Sequence, residues 1–239
     1  MFIIIFLLQK MNIIIGASRC RDLDKLEPLK SDQTVEVWSR GGAKYDDMKD
    51  LINQHYIYHH GGAPLIRGQT HFYIVAGLCD ITKKLSNRST NYQEVIYIEP
   101  FQETIDRVKS SILKLRSLII SQGSIPIFCT IVPQHLSSWN TSRFDQNKTS
   151  QLNYSSSYEH MQTRLMDTTK ALNVFLLELN QTLNLATPCL HRSVMHNQKK
   201  GKTYFQHTLL VDGCHASAKV KESWAAGIGG AISRNRKIP

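Results

Sequence analysis

An α/β fold, built as three layers around a central parallel sheet, follows from two features of the sequence. Short apolar runs, rich in β-branched residues and closed by Gly or Pro, alternate with long stretches of helical periodicity. A run that is apolar at every position suits a strand buried on both faces. Strands that alternate with helices pair in parallel through crossover helices, which then cover both sides of the sheet. About five strands are expected.

Residues 12–15 (NIII), ahead of Gly16, read as the first strand. Residues 34–38 (TVEVW) read as the second, bounded by Arg40-Gly41-Gly42. Residues 45–56 carry Met48, Leu51 and Ile52 at helical spacing. Residues 71–76 (HFYIVA) form the third strand, ending at Gly77. Residues 101–121 place Ile105, Val108, Ile112, Leu115 and Ile119 on one helix face, with Gly123 as the stop signal. Residues 125–132 (IPIFCTIV) form the fourth strand. Residues 137–157 are rich in Ser, Asn and Thr and read as a surface loop. Residues 158–183 read as a second long helix, 187–194 as a fifth strand, 196–202 as a basic loop and 217–233 as the closing helix. No internal repeat or Pro/Gly linker divides the 239 residues. The expected organisation is an apolar extension over residues 1–11 and one domain over 12–239, with a polar loop insertion near 137–157.

The net charge of +10 favours acidic partners. Nucleic acid is therefore a candidate partner, although no basic run is interleaved with stacking aromatics. Five scattered cysteines without a CxxC pair do not form a zinc ribbon or a disulfide framework. Reduced thiols and an intracellular location are the expectation, under which sequons such as Asn140-Thr141-Ser142 and Asn153-Tyr154-Ser155 carry no meaning. Residues 2–8 are apolar but far short of the roughly 20 that a membrane span needs. They also lack the basic flank of a signal peptide. Met11 would open directly on the first strand. The absence of Gly-x-Gly-x-x-Gly and of Gly-x-x-x-x-Gly-Lys argues against nucleotide binding through those loops.

Parallel sheets bind ligands at the carboxyl ends of their strands. Gly16-Ala17-Ser18, Gly41-Gly42, Gly77-Leu78-Cys79-Asp80 and Asp212-Gly213-Cys214-His215 would all converge there. Acyl transfer by serine needs a base, an orienter for that base and donors for the oxyanion. Ser18 has the place of a nucleophile and His215 that of its base. Asp212 sits three residues before His215, close enough to orient it. The Ser18 and Gly42 amides are candidate oxyanion donors, because a glycine lets backbone approach substrate closely.

The order Gly-x-Ser, Gly, Gly-x-x-Asp and Asp-x-x-His, spanning Gly16 to His215, resembles the SGNH (GDSL-type) hydrolase superfamily. The resemblance implies a flavodoxin-like three-layer fold, a Ser18–Asp212–His215 triad, and Gly42 or Gly41 in the oxyanion hole. It implies a carboxylesterase or deacetylase working through an acyl-enzyme on Ser18, with no cofactor. The stretch RGGAKYDDMKDLI also resembles SGNH-like domains of mobile elements and large DNA viruses. Two positions depart from the family pattern. Ala17 replaces the usual Asp before the nucleophile, and Cys79 replaces the Asn whose amide donates to the oxyanion. A thiol is a weak donor, and one lost donor costs about 10²–10³ in rate.

Cys79 therefore has three readings: a buried filler, a substituted oxyanion residue, or a nucleophile served by His215. Cys79, Asp80, Cys214 and His215 match no standard zinc spacing. Gly41, Gly77 and Asp80 are candidate substrate contacts. Arg19 and Arg21 flank the nucleophile, either as surface charge or as partners of an acidic substrate group. His59-His60-Gly61-Gly62 reads as an exposed turn, and His191, His196 and His207 as solvated or structural. The rival to the enzyme is an SGNH-like binding domain whose basic surface engages nucleic acid or a protein.

Overall fold

The computed structural model describes residues 11–60, 70–87, 92–98, 100–147, 157–197 and 203–237. In chain order its first elements are β1 (Met11–Gly16), β2 (Val35–Ser39), α1 (Met48–His60), β3 (Thr70–Val75), α2 (Leu78–Ile81), β4 (Thr82–Asn87) and β5 (Tyr92–Tyr97). There follow α3 (Phe101–Ser121), β6 (Ile125–Phe128), α4 (Leu136–Asn147), α5 (Ser157–Gln181), β7 (Met195–Asn197), β8 (Thr203–Phe205) and α6 (Ala218–Asn235).

The apolar runs become one parallel sheet in the order β2-β1-β3-β6. Successive side chains on a strand point to opposite faces. Ile13 and Ile15 of β1 thus join Phe72, Ile74 and Phe128 under α1, α3 and α5. Ile14 joins Tyr73, Val75 and Ile127 under Trp224, Ile228 and Ile232 of α6. Ile13, Ile14 and Ile15 are all fully buried, which is why the run is apolar at every position. The predicted face of α3, from Ile105 to Ile119, is the buried one. No helix among the described residues is long and apolar enough to cross a membrane.

The sheet has four strands rather than about five. Residues 190–194, expected within a strand, form a 3-10 turn (Leu190–Val194) that buries Leu190 and Val194. The outer edge of β6 is already occupied by side chains. Asn180 accepts from the Phe128 N–H at 3.0 Å and donates to the Phe128 carbonyl at 2.8 Å. Asn173, two turns earlier on α5, does the same for Ile131 at 2.6 and 3.0 Å. Just beyond β6, Thr130 N–H donates to Pro188 O at 3.1 Å. The backbone groups a fifth strand would need are satisfied.

The polar stretch expected as a loop over 137–157 differs too. Its first part is helix α4, whereas residues 148–156 lie outside the described residues. Leu136 and Asn140, one turn apart, face inward and hold α4 down despite its polar composition. Asn140 pairs with both the N–H and the C=O of Val95 at 2.8 and 3.0 Å, anchoring the β4–β5 hairpin. That buried, bonded amide is not available to glycosylation. The hairpin and the short β7–β8 pair were not foreseen, because neither alternates apolar and polar residues clearly.

Replacing Asn180 with Leu should unpair two buried backbone groups at the sheet edge. Urea denaturation is expected to show a loss of about 2–6 kcal/mol, from about 1–3 kcal/mol per orphaned group. A loss below about 0.5 kcal/mol would reject the sealed-edge account.

Candidate active site

Gly16 ends β1 close against the backbone of β3. A Cβ there would lie 2.1 Å from the Val75 carbonyl oxygen. Ala17 N–H then donates to Val75 O at 3.1 Å, and the chain coils into a single 3-10 turn, Ser18–Cys20. Ser18 is half-buried at the start of that turn, at the carboxyl end of β1. Among the described residues its Oγ has no hydrogen-bond partner, so the link to His215 is not closed in this state. Catalytic hydrogen bonds of ligand-free sites are often long and tighten on substrate binding.

The Asp212–His215 loop is pinned from several sides. Gly213 has φ +77° and packs so tightly that a Cβ would lie 2.6 Å from His135 O and 2.8 Å from Trp139 N. His135 N–H donates to Gly213 O at 2.8 Å, and Val211 N–H to His215 O at 2.7 Å. Asp212 Oδ1 accepts from the Cys214 and His215 N–H groups at 3.0 and 2.7 Å. Its Oδ2 accepts from His215 Nδ1 at 2.8 Å. That bond fixes the tautomer with the proton on Nδ1 and leaves Nε2 as a base. Burial raises the Asp212 pKa, but the His215 backbone and imidazole and the Cys214 N–H outweigh it and hold the carboxyl below its ordinary value. The carboxylate form is therefore the one present at neutral pH.

Gly42, at φ +74°, occupies an exposed turn after β2 beside Gly41. Among the described residues, neither the Gly42 N–H nor the Ser18 N–H donates to a backbone acceptor. The arrangement can therefore offer both to an oxyanion. Gly77, at φ +108°, packs against Ile131 and the Tyr45 hydroxyl and shapes the backbone of the third rim loop.

Asp80 and Arg19, expected as substrate contacts, are both turned inward onto the protein's own backbone. Asp80 is 1% exposed and its carboxylate accepts from Tyr45 N–H at 3.2 Å, tying the β3 loop to the β2 loop. Burial pushes its pKa up to about 6 against the opposing pull of the Tyr45 N–H. Arg19 is 7% exposed, and its guanidinium donates to the Val132 and Pro133 carbonyls and to Cys214 Sγ. Arg21 is exposed.

Cys79 is half-buried, and its thiol is pushed up to about 11, by burial first and then by Cys214, with Arg19 opposing. A thiol that stays protonated is a poor nucleophile, so this environment does not activate Cys79. Among the described residues, no cluster of three or more His, Cys, Asp or Glu side chains is arranged to hold a metal ion.

His191 bonds Thr130 Oγ1 at 2.9 Å. His207 stacks on His135 with centroids 3.9 Å apart. His135 was not foreseen. Its only sequence signal is a place just after the fourth apolar run. α1 runs through His60, and Gly61 and Gly62 lie outside the described residues.

The folded state holds the Asp80 proton to higher pH than the unfolded chain, whose carboxyl keeps its ordinary value near 3.8. The Asp80 contribution to stability is thus full below about pH 4 and is lost as pH rises through about 6. Asp80→Asn lacks this titration. Its stability relative to the native chain should rise between pH 4 and pH 6, by an order of 2 kcal/mol, read from denaturation midpoints at each pH. A flat or falling difference would contradict the assignment.

No protein-family model matches the chain, and no curated protein does. Solved structures do. A GDSL-like lipase from Bacteroides thetaiotaomicron aligns with TM-score 0.57 and 11% identity, over 95% of this chain and 89% of its own. A candidate acylhydrolase from Bacteroides fragilis aligns with TM-score 0.57 and 16% identity, over 95% and 88%. The OSK domain of Drosophila Oskar aligns with TM-score 0.53 and 11% identity, over 92% and 87%. With a four-stranded parallel sheet between helical layers and these neighbours over nearly its whole length, the chain has the fold of the SGNH (GDSL-type) hydrolases.

Proposed function

We propose that the protein is a serine hydrolase acting on ester bonds, a carboxylesterase or deacetylase. The observation that carries this is the Asp212–His215 pair, with one carboxylate oxygen on His215 Nδ1 at 2.8 Å and the other spent on the loop backbone. That is the arrangement a general base needs: fixed tautomer, fixed ring and a free Nε2. The Ser18 turn lies on the same rim, joined to this loop through Arg19 and Cys214.

In this mechanism His215 Nε2 takes the Ser18 proton as Oγ attacks the ester carbonyl. The Ser18 and Gly42 N–H groups hold the resulting oxyanion. Imidazolium returns the proton to the leaving alcohol. Water, activated by the same Nε2, then releases the acid and regenerates Ser18. Asp212 stabilises the imidazolium in both halves without taking its proton. Cys79 leaves the oxyanion one strong donor short, so a slow enzyme is expected.

A fluorophosphonate probe should label Ser18, as mapped by mass spectrometry. Labelling should vanish in Ser18→Ala and His215→Ala. Asp212→Asn should cut kcat by about 10⁴ through the wrong tautomer. A folded native chain that takes no label would overturn the reading and leave the cleft a binding role.

Cys79→Asn should supply the missing amide and raise kcat on p-nitrophenyl acetate by about 10- to 100-fold, the reverse of deleting a donor. An unchanged or lower kcat would show that this position does not face the oxyanion.

A further inference from the structure

Arg19 is a buried cation without an anion. Its side chain is 7% exposed, and among the described residues no carboxylate lies in ion-pair contact with it. Nε is buried and has no hydrogen-bond partner. The other nitrogens donate to two carbonyls, Val132 O and Pro133 O, and to Cys214 Sγ at 3.6 Å. Arginine does not deprotonate in proteins. A buried charge left unpaired is costly, and a surface role needs no such burial. The location accounts for the cost. Arg19 follows the nucleophile directly, and Cys214 precedes the base directly. Val132 and Pro133 begin the segment that leads to His135, whose N–H holds Gly213. One guanidinium thus bridges the Ser18 turn, the β6 exit and the His215 loop. The ionisable groups around it are Cys79, Cys214 and, one residue further, His215 and its partner Asp212.

We propose that Arg19 is a positioning residue of the catalytic site: it clamps the Ser18 turn to the Asp212–His215 loop, and its fixed positive charge beside Cys79 offsets part of the oxyanion stabilisation lost there. This inference rests on the hydrolase reading. Polarity and rigidity arrive together, because the charge is held by backbone carbonyls that do not neutralise it. An anion that develops on the substrate oxygen then meets a preorganised positive field.

The test compares Arg19→Gln, which can still donate to the carbonyls, with Arg19→Lys, which keeps the charge but loses the fork. Each is made alone and with Cys79→Asn. The readouts are thermal unfolding, rate of fluorophosphonate labelling at Ser18, and kcat and KM for p-nitrophenyl acetate across pH. Arg19→Gln should lower kcat about 10²-fold with KM within about threefold. Cys79→Asn should restore most of the loss. Arg19→Lys should lose about tenfold in kcat. Folded Arg19→Gln with native kcat overturns the inference. So does a loss that raises KM as much as it lowers kcat, or that does not respond to Cys79→Asn, which marks a structural role. Failure of both variants to fold overturns it as well, by making Arg19 a folding residue. A native chain that neither hydrolyses ester nor labels overturns the hydrolase reading and this inference together, whereas labelling that is equal in all variants overturns only the inference.

Discussion

The contact of β1 with β3 at Gly16 sets the position of everything on the rim. With 2.1 Å between a would-be Cβ and the Val75 carbonyl oxygen, no side chain fits there. The two strands therefore stay paired to their last residue, Gly16 opposite Val75. Ala17 N–H takes the Val75 carbonyl, and Arg40 N–H takes the Gly16 carbonyl at 3.0 Å. One glycine thereby fixes where three strands release their chains. The Ser18 turn begins at that release point, so the direction in which the serine leaves the sheet is a consequence of backbone packing and not of any interaction of the serine itself.

Asparagine amides close the structure where strands run out. Asn180 on Phe128 and Asn173 on Ile131 each present one donor and one acceptor, as a neighbouring strand would. Asn140 does so for Val95, and Asn235 for Ala186 at 2.7 and 3.3 Å. Buried backbone groups must be paired, and a side chain on a packed helix does this without requiring another strand. The arrangement has a functional side. By holding Phe128 and Ile131, α5 fixes the chain just before Val132 and Pro133, whose carbonyls receive Arg19. The sealed edge and the candidate rim are one continuous hydrogen-bonded path.

What could be read from the sequence divides along the same lines. The four parallel strands and the buried face of α3 announce themselves, because burial on both faces demands continuous apolar residues and burial on one face demands helical spacing. The Asp-x-x-His spacing announces the Asp212–His215 pair, because three residues suffice to bring the carboxylate onto the imidazole. Residues 190–194 misled because Leu and Val are buried equally well by a 3-10 turn, and nothing local in the sequence says that the strand edge is already filled from α5. α4 was hidden because its fixed points are one Leu and one Asn bonded to a distant hairpin. The roles of Asp80 and Arg19 were hidden for a related reason: a charged residue beside a candidate site suggests a ligand, whereas burial, which composition does not reveal, turned both inward.

The electrostatics of the rim follow from how each charge is held. Asp212 divides its carboxylate, Oδ1 to the loop backbone and Oδ2 to His215, so the group that orients the imidazole also shapes the loop that carries it. Asp80 is kept inside by Tyr45 N–H, and burial raises its pKa to about 6. Cys79 stays a neutral thiol, pushed up to about 11. Arg19 alone in this group keeps a full charge that no carboxylate contacts. Negative charge at the rim is thus withdrawn toward His215 and the β2 loop, while the positive charge remains beside Ser18. In the proposed hydrolysis, donors fixed in advance would pay no reorganisation when an oxyanion forms beside that charge.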